Sequence, residues 1–146
     1  MVRRFRYYLD ESLVKKRVPN KEEARSLMAK AIKRLEYLKA QRIDELTAPF
    51  VFENIYEAMR EAAQALMSSR GYKPYSHEAL ISFLREFYTF SEHRISAFDR
   101  YRILRNKSVY GAARISVSTC RQALSFLKQF LPELRDEFDK ETKTKT

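Results

Sequence analysis

The chain carries 29 Lys and Arg against 19 Asp and Glu over 146 residues, a net charge of +10. With 45% apolar and 13% aromatic residues it can bury a core at this length, which excludes intrinsic disorder and favours one domain. Two glycines and four prolines exclude a fold of many short strands, so an all-α antiparallel bundle of four to five helices with short connections and no sheet is expected over residues 1–140.

Residues 1–19 place Phe5, Tyr8, Leu9 and Leu13 among six basic side chains, a spacing that permits an amphipathic helix ending at Pro19. Asn20 then reads as an N-cap with Glu23 three residues on, a variant of the capping box. From there Ala24, Leu27, Met28, Ala31, Ile32, Leu35 and Leu38 recur at helical spacing to about Arg42. A second helix starts at Thr47-Ala48-Pro49, where the missing proline N–H would be unpaired anyway. Phe52, Ile55, Tyr56, Met59, Ala63, Leu66 and Met67 carry it to Gly71, a C′ residue. A loop over 71–75 leads to Ser76, an N-cap for a shorter helix through Leu80, Phe83, Leu84 and Phe87. Ser91 caps the next, which buries Ile95, Phe98, Tyr101 and Leu104 and ends near Gly111. The last helix starts near Ser116 or Ser118 and buries Cys120, Leu124, Leu127, Leu131, Leu134 and Phe138, with Pro132 expected to kink it or end its regular part. Residues 141–146 have nothing to bury and read as a flexible tail.

Charge is distributed unevenly along this plan. Residues 1–42 hold thirteen basic and five acidic side chains, residues 43–99 five and nine, and residues 100–128 seven and none. That last run, Arg100, Arg102, Arg105, Lys107, Arg114, Arg121 and Lys128, lies beside Asn106, Ser108, Tyr110 and a helix end. Cations and hydrogen-bond donors converging in this way suit a phosphate, and Arg100, Arg102, Arg105, Lys107 and Arg114 are the expected phosphate contacts. Cys120 is alone, which excludes an intramolecular disulfide, and no Cys/His pair has zinc-ligand spacing. No apolar run approaches a membrane span or follows the basic N-terminus as a signal peptide would, so a cytoplasmic location is expected. Frequent Lys, Arg and Glu with scarce Asn and Gln resemble thermophile composition.

The order Arg105-Asn106-x-x-Val109-Tyr110-Gly111 between two long helices resembles the signature of HEPN domains, small all-α proteins many of which are metal-independent ribonucleases. Gly71-Tyr72-Lys73-Pro74-Tyr75-Ser76-His77-Glu78-Ala79-Leu80 also resembles that family's link between its second and third helices. The family's usual motif is Arg, often Asn, a few residues, then His. Here Tyr110 stands where the Arg-x4-His spacing puts histidine, and Ala112 stands where some toxin members carry tyrosine. The resemblance implies a homodimer with the 99–111 stretch lining a shared cleft, Arg105, Asn106 and Tyr110 at the catalytic positions, no cofactor and no metal. It also implies a toxin–antitoxin or RNA-surveillance setting, with a minimal nucleotidyltransferase as one candidate partner.

Arginine holds phosphate but does not accept a proton near neutral pH, and tyrosine, with a pKa of about 10, is a poor base. The expectation is therefore an RNA- or nucleotide-binding protein with degenerate catalysis. Two alternatives stand beside it: an active metal-independent endoribonuclease in which Arg105, Asn106 and Tyr110, or a remote histidine (His77 or His93), do the work, and an interaction module for an acidic protein. Arg105 and Asn106 also have a plainer reading, closing the end of their helix, and Tyr110 one as a side chain packed at the edge of the last helix. Phe83, Phe87, Phe90, Phe98 and Tyr101 offer more aromatic surface than a small core is expected to absorb, which points to an interface.

Overall fold

The computed structural model describes residues 2–143. Its elements in chain order are α1 (Phe5–Asp10), β1 (Val14–Lys16), α2 (Lys21–Lys39), α3 (Ala48–Ser69), β2 (Tyr72–Pro74), α4 (His77–Phe87), α5 (Glu92–Val109) and α6 (Val117–Thr142). The fold is an all-α bundle, and α3 lies at its centre with apolar side chains buried on nearly every turn, from Val51 and Phe52 to Leu66 and Met67.

The helix ends follow local chemistry. Asn20, Ser91 and Ser116 each accept a hydrogen bond from the backbone N–H three residues on, at 3.0, 3.2 and 3.0 Å. Ser76 takes the N-cap position of α4, but its side chain makes no cap bond. Gly71 and Gly111 both adopt positive φ, 84° and 74°, just past α3 and α5. At Gly111 the N–H groups of Gly111 and Ala112 return to the carbonyls of Ser108 and Lys107, a Schellman closure made entirely by backbone. A Cβ at Gly71 would collide with the carbonyl of Arg17.

Four expectations need correction. The N-terminal segment is one short helix followed by a strand, because Ser12 turns the chain at φ 59° and Val14–Lys16 pairs antiparallel with Tyr72–Pro74, so the bundle does carry a two-stranded sheet. Pro74 sits at the end of that ladder, where its missing N–H costs nothing, and Arg17 N–H donates to the Gly71 carbonyl at 2.8 Å. Second, α6 continues through Pro132 to Thr142, and Glu141 is held in place. Its carboxylate accepts from Ser69 at 3.1 Å, Arg70 at 2.7 Å and Tyr88 at 2.7 Å. Glu141 and Thr142 are therefore not part of a flexible tail, and Thr144–Thr146 lie outside the described residues.

Third, α3 and α4 are parallel neighbours. His77 at the start of α4 meets Tyr56 in the middle of α3, while Phe87 at its end lies against Arg70. The extended β2 segment makes this possible. The fourteen steps from Tyr56 to Arg70 cover about 21 Å at 1.5 Å each, and the seven steps from Arg70 to His77 cover about 23 Å at 3.3 Å each, so the strand walks the chain back along α3. α3 and α6 are parallel too, with Ser69 and Arg70 at the end of α3 held by Glu141 at the end of α6, whereas three other contacts are antiparallel: α2 on α3 through Arg34 with Asn54 and Lys30 with Glu61, α3 on α5 through Phe52–Tyr101 and Tyr56–Phe98, and α5 on α6 through Phe98–Phe130 and Tyr101–Phe126.

Fourth, the aromatic surplus is absorbed internally. Phe83 and Phe98 are fully buried, and Phe87, Phe90 and Tyr101 are half-buried in a ring-on-ring chain joining Phe5, Phe83, Phe87, Tyr88, Phe90 and Phe130. Cys120 is buried, and its surroundings push the thiol up to about 11. Among the described residues no helix is long and apolar enough to cross a membrane.

Candidate phosphate-binding site

The basic residues of α5 separate onto different sides of the helix. Arg100, Ile103 and Lys107 recur at three- and four-residue spacing and are exposed along one face. Arg114 projects from the α5–α6 connection, and Arg121 and Lys128, seven residues apart, share an exposed face of α6. None of these five, nor Arg105, forms an ion pair among the described residues.

Arg102 leaves the expected set. It is buried, its Nε donates to Asp99 at 2.8 Å, and its Nη1 lies 3.8 Å from Glu78, so it braces α5 against α4. A residue three positions from Asp99 on a helix faces it by geometry, a signal the sequence already held.

Arg105 turns the other way, toward α3. Its guanidinium carbon lies 5.8 Å from the centre of the Tyr56 ring. It makes no hydrogen bond to the last-turn carbonyls among the described residues, and Gly111 already closes that helix, so the helix-closing reading of Arg105 and Asn106 falls away. Asn106 stands within the last turn of α5, half-buried. Tyr110 is 85% exposed at the C-cap, so it is not packed along the last helix and its ring is open to a stacking partner.

Tyr56 and His77 complete the arrangement. Tyr56 is fully buried, and its hydroxyl is 3.0 Å from His77 Nδ1, with ring centres 5.7 Å apart. Burial pushes the Tyr56 hydroxyl pKa well above its ordinary value, so it stays protonated. Burial, then the charges of Arg60 and Arg105, lower the His77 pKa below 6.5 against the opposing pull of Glu57. Arg60 is committed elsewhere, to Glu57 at 2.7 Å and Gln64 at 2.5 Å. Burial opposes the Glu57 carboxylate, but the Arg60 bond and the charges of Arg34 and Arg105 hold its pKa down. His93, by contrast, is exposed in the first turn of α5, beside a groove against α6 and away from Arg105. Sequence reading weighed His77 only as a remote histidine. Tyr56, assigned to the core row, gave no sign of its polar role.

The His77 shift has a testable sign. Its folded-state pKa lies below the unfolded value of 6.5, so the unfolded chain binds the proton more readily. The associated stability is complete above pH 6.5 and is lost as pH falls through the folded value. Urea midpoints of the wild type are expected to drop more between pH 8 and pH 5 than those of His77→Gln. Equal drops would show that His77 does not titrate differently in the fold.

Among the described residues no group of three or more His, Cys, Asp or Glu side chains is placed to hold a metal ion. Compared with known proteins, the chain matches no family model, no curated protein and no solved structure.

Proposed function

We propose that the protein binds single-stranded RNA or nucleotide phosphates across the C-terminal half of α5, the α5–α6 connection and the exposed face of α6. The observation that supports this is the company its cations keep. Arg100, Arg105, Lys107, Arg114, Arg121 and Lys128 lie in a stretch without any Asp or Glu and have no carboxylate partner among the described residues, whereas Arg34, Arg60, Arg70, Arg94 and Arg102 each do. Unpaired cations keep their full field for an external anion, and the exposed Tyr110 ring beside them offers a stacking surface for a base.

Binding of a fluorescent 12-mer oligouridylate is expected to weaken with salt at a log–log slope of about −2 to −3, the value for three or four neutralised phosphates at about −0.7 each. Arg105→Ala lowers the affinity and flattens the slope. No binding at low salt, with Arg105→Ala changing only stability, would refute the proposal.

On this reading the chain is a HEPN-like protein whose catalysis has degenerated, working as a homodimer and as a partner in a toxin–antitoxin or RNA-surveillance system, with a minimal nucleotidyltransferase as a candidate associate. The exposed Ile103, Val109 and Tyr110 within the 99–111 stretch favour a dimer cleft there. Sedimentation as a monomer at high micromolar concentration would remove that element. Tyr110→His restores the Arg-x4-His spacing and is expected to create or raise EDTA-resistant cleavage of single-stranded RNA. Wild-type cleavage that survives EDTA and disappears in Tyr110→Phe would replace the degenerate reading with an active ribonuclease.

A further inference from the structure

We propose that His77 is a second phosphate ligand of this site, a neutral Nε2–H donor that acts with Arg105 on one phosphodiester of the bound strand. The inference rests on the binding reading above and extends the surface from α5 and α6 onto the start of α4.

Hydrogen-bond accounting leads to it. The Tyr56 hydroxyl has one hydrogen-bond partner among the described residues, His77 Nδ1. Were Nδ1 the protonated nitrogen, it would donate to the Tyr56 oxygen, and the buried Tyr56 O–H would be left without an acceptor, at a cost of about 1–3 kcal/mol. The O–H therefore donates to Nδ1, and the ring proton sits on Nε2. This ties up the lone pair that a general base would use, so a neutral His77 presents a donor and no acceptor.

That donor is free. Among the described residues the only buried side-chain nitrogen or oxygen without a partner is Arg17 Nε. His77 Nε2 and the Arg105 guanidinium have no hydrogen-bond partner among the described residues either, and neither is among those buried atoms, so both are reached by solvent. Both lie near the same buried ring, the imidazole centre 5.7 Å and the guanidinium carbon 5.8 Å from the centre of Tyr56. One unpaired guanidinium and one neutral N–H match the single charge of a phosphodiester. The nearby Arg60 and Arg102 add field but no free fork, since Glu57 and Gln64 hold the first and Asp99 the second.

The test combines spectroscopy on the wild type with variants. In protein carrying ¹⁵N-histidine, His77 is expected to show a pyrrole-type Nε2 and a pyridine-type Nδ1 near pH 7.5, and the 5′-hydroxyl 12-mer oligouridylate shifts the Nε2 signal. The opposite tautomer, or an Nε2 signal that ignores saturating oligonucleotide, would overturn the proposal without any substitution. His77→Ala is expected to weaken 12-mer binding about tenfold, as loss of a hydrogen bond to a charged group does, while His77→Gln, which keeps an N–H, loses much less. The His77→Ala and Arg105→Ala losses are expected to be non-additive, because the two donors share one phosphate. A 5′-phosphorylated 12-mer binds equally well, and a strong preference for it would replace the diester with a terminal phosphate and overturn the assignment. If His77→Ala binds like the wild type while Arg105→Ala does not, the His77 seat fails and the basic-surface reading survives. If the wild type itself binds nothing at low salt, the underlying reading fails. EDTA-resistant cleavage by the wild type that His77→Gln abolishes would show a proton acceptor where a donor is proposed.

Discussion

Glu61→Ala is expected to destabilise the protein by about 3 kcal/mol, near the low end of the range for breaking a buried ion pair. The Glu61 carboxylate is 1% exposed in the seam between α2 and α3, and Arg34 reaches it with two bonds of 2.9 and 3.0 Å. Lys30 adds a second cation at 3.7 Å. Removing the carboxylate strands the Arg34 guanidinium, whose pKa is raised chiefly by its bond to Glu61. Arg34 keeps Asn54 at 2.7 Å and some water, which restrains the loss. The control is a double replacement, Arg34→Met with Glu61→Met, which removes both charges and is expected to cost much less. Urea denaturation of the two variants beside the wild type checks both expectations, and a Glu61→Ala loss below about 1 kcal/mol would show that the pair contributes little to holding the seam.

Phe98→Ala is expected to cost about 3–5 kcal/mol, the usual range for emptying a fully buried phenylalanine site. Phe98 stands between α3 and α6, with ring centres of Tyr56 and Phe130 each 6.1 Å away. Its loss leaves a cavity under the tyrosine that supports Arg105 and His77, so oligonucleotide affinity is expected to fall as well. Phe98→Leu retains most of the volume and is expected to recover most of the stability with less of the binding. A thermal-melt series with the same 12-mer titration separates the two effects, and unchanged affinity in a destabilised Phe98→Ala would show that the ring does not set the site.

The parts of the fold legible in the sequence are those written in neighbouring residues. Asn20 with Glu23, Ser91 with Arg94, and Gly111 after α5 each act within four residues, and short-range chemistry decides them. The row Leu124, Leu127, Leu131, Leu134 and Phe138 is buried as its spacing implies. What escaped depends on pairing across long separations. Nothing local to Val14–Lys16 indicates that Tyr72–Pro74 will lie beside it, and the direction of α4 follows from that ribbon. The site was half legible for the same reason. Arg105 and Tyr110 announce themselves by charge and motif, while the bond between Tyr56 and His77 exists only because the strand returns the chain to the middle of α3.

That return also orders events during synthesis. On a ribosome, β1 emerges with its hydrogen-bonding edge unpaired and stays so until β2 has left the exit tunnel, by which time α2 and α3 are already available to dock on each other. The ribbon closes a large loop and so forms after the α2–α3 hairpin, whose contacts are closer in sequence. His77 follows β2 directly and reaches Tyr56 only once the ribbon has zipped. The proposed phosphate seat is thus assembled late, after the central helices have paired, and a nascent chain that has released α3 but not His77 lacks it.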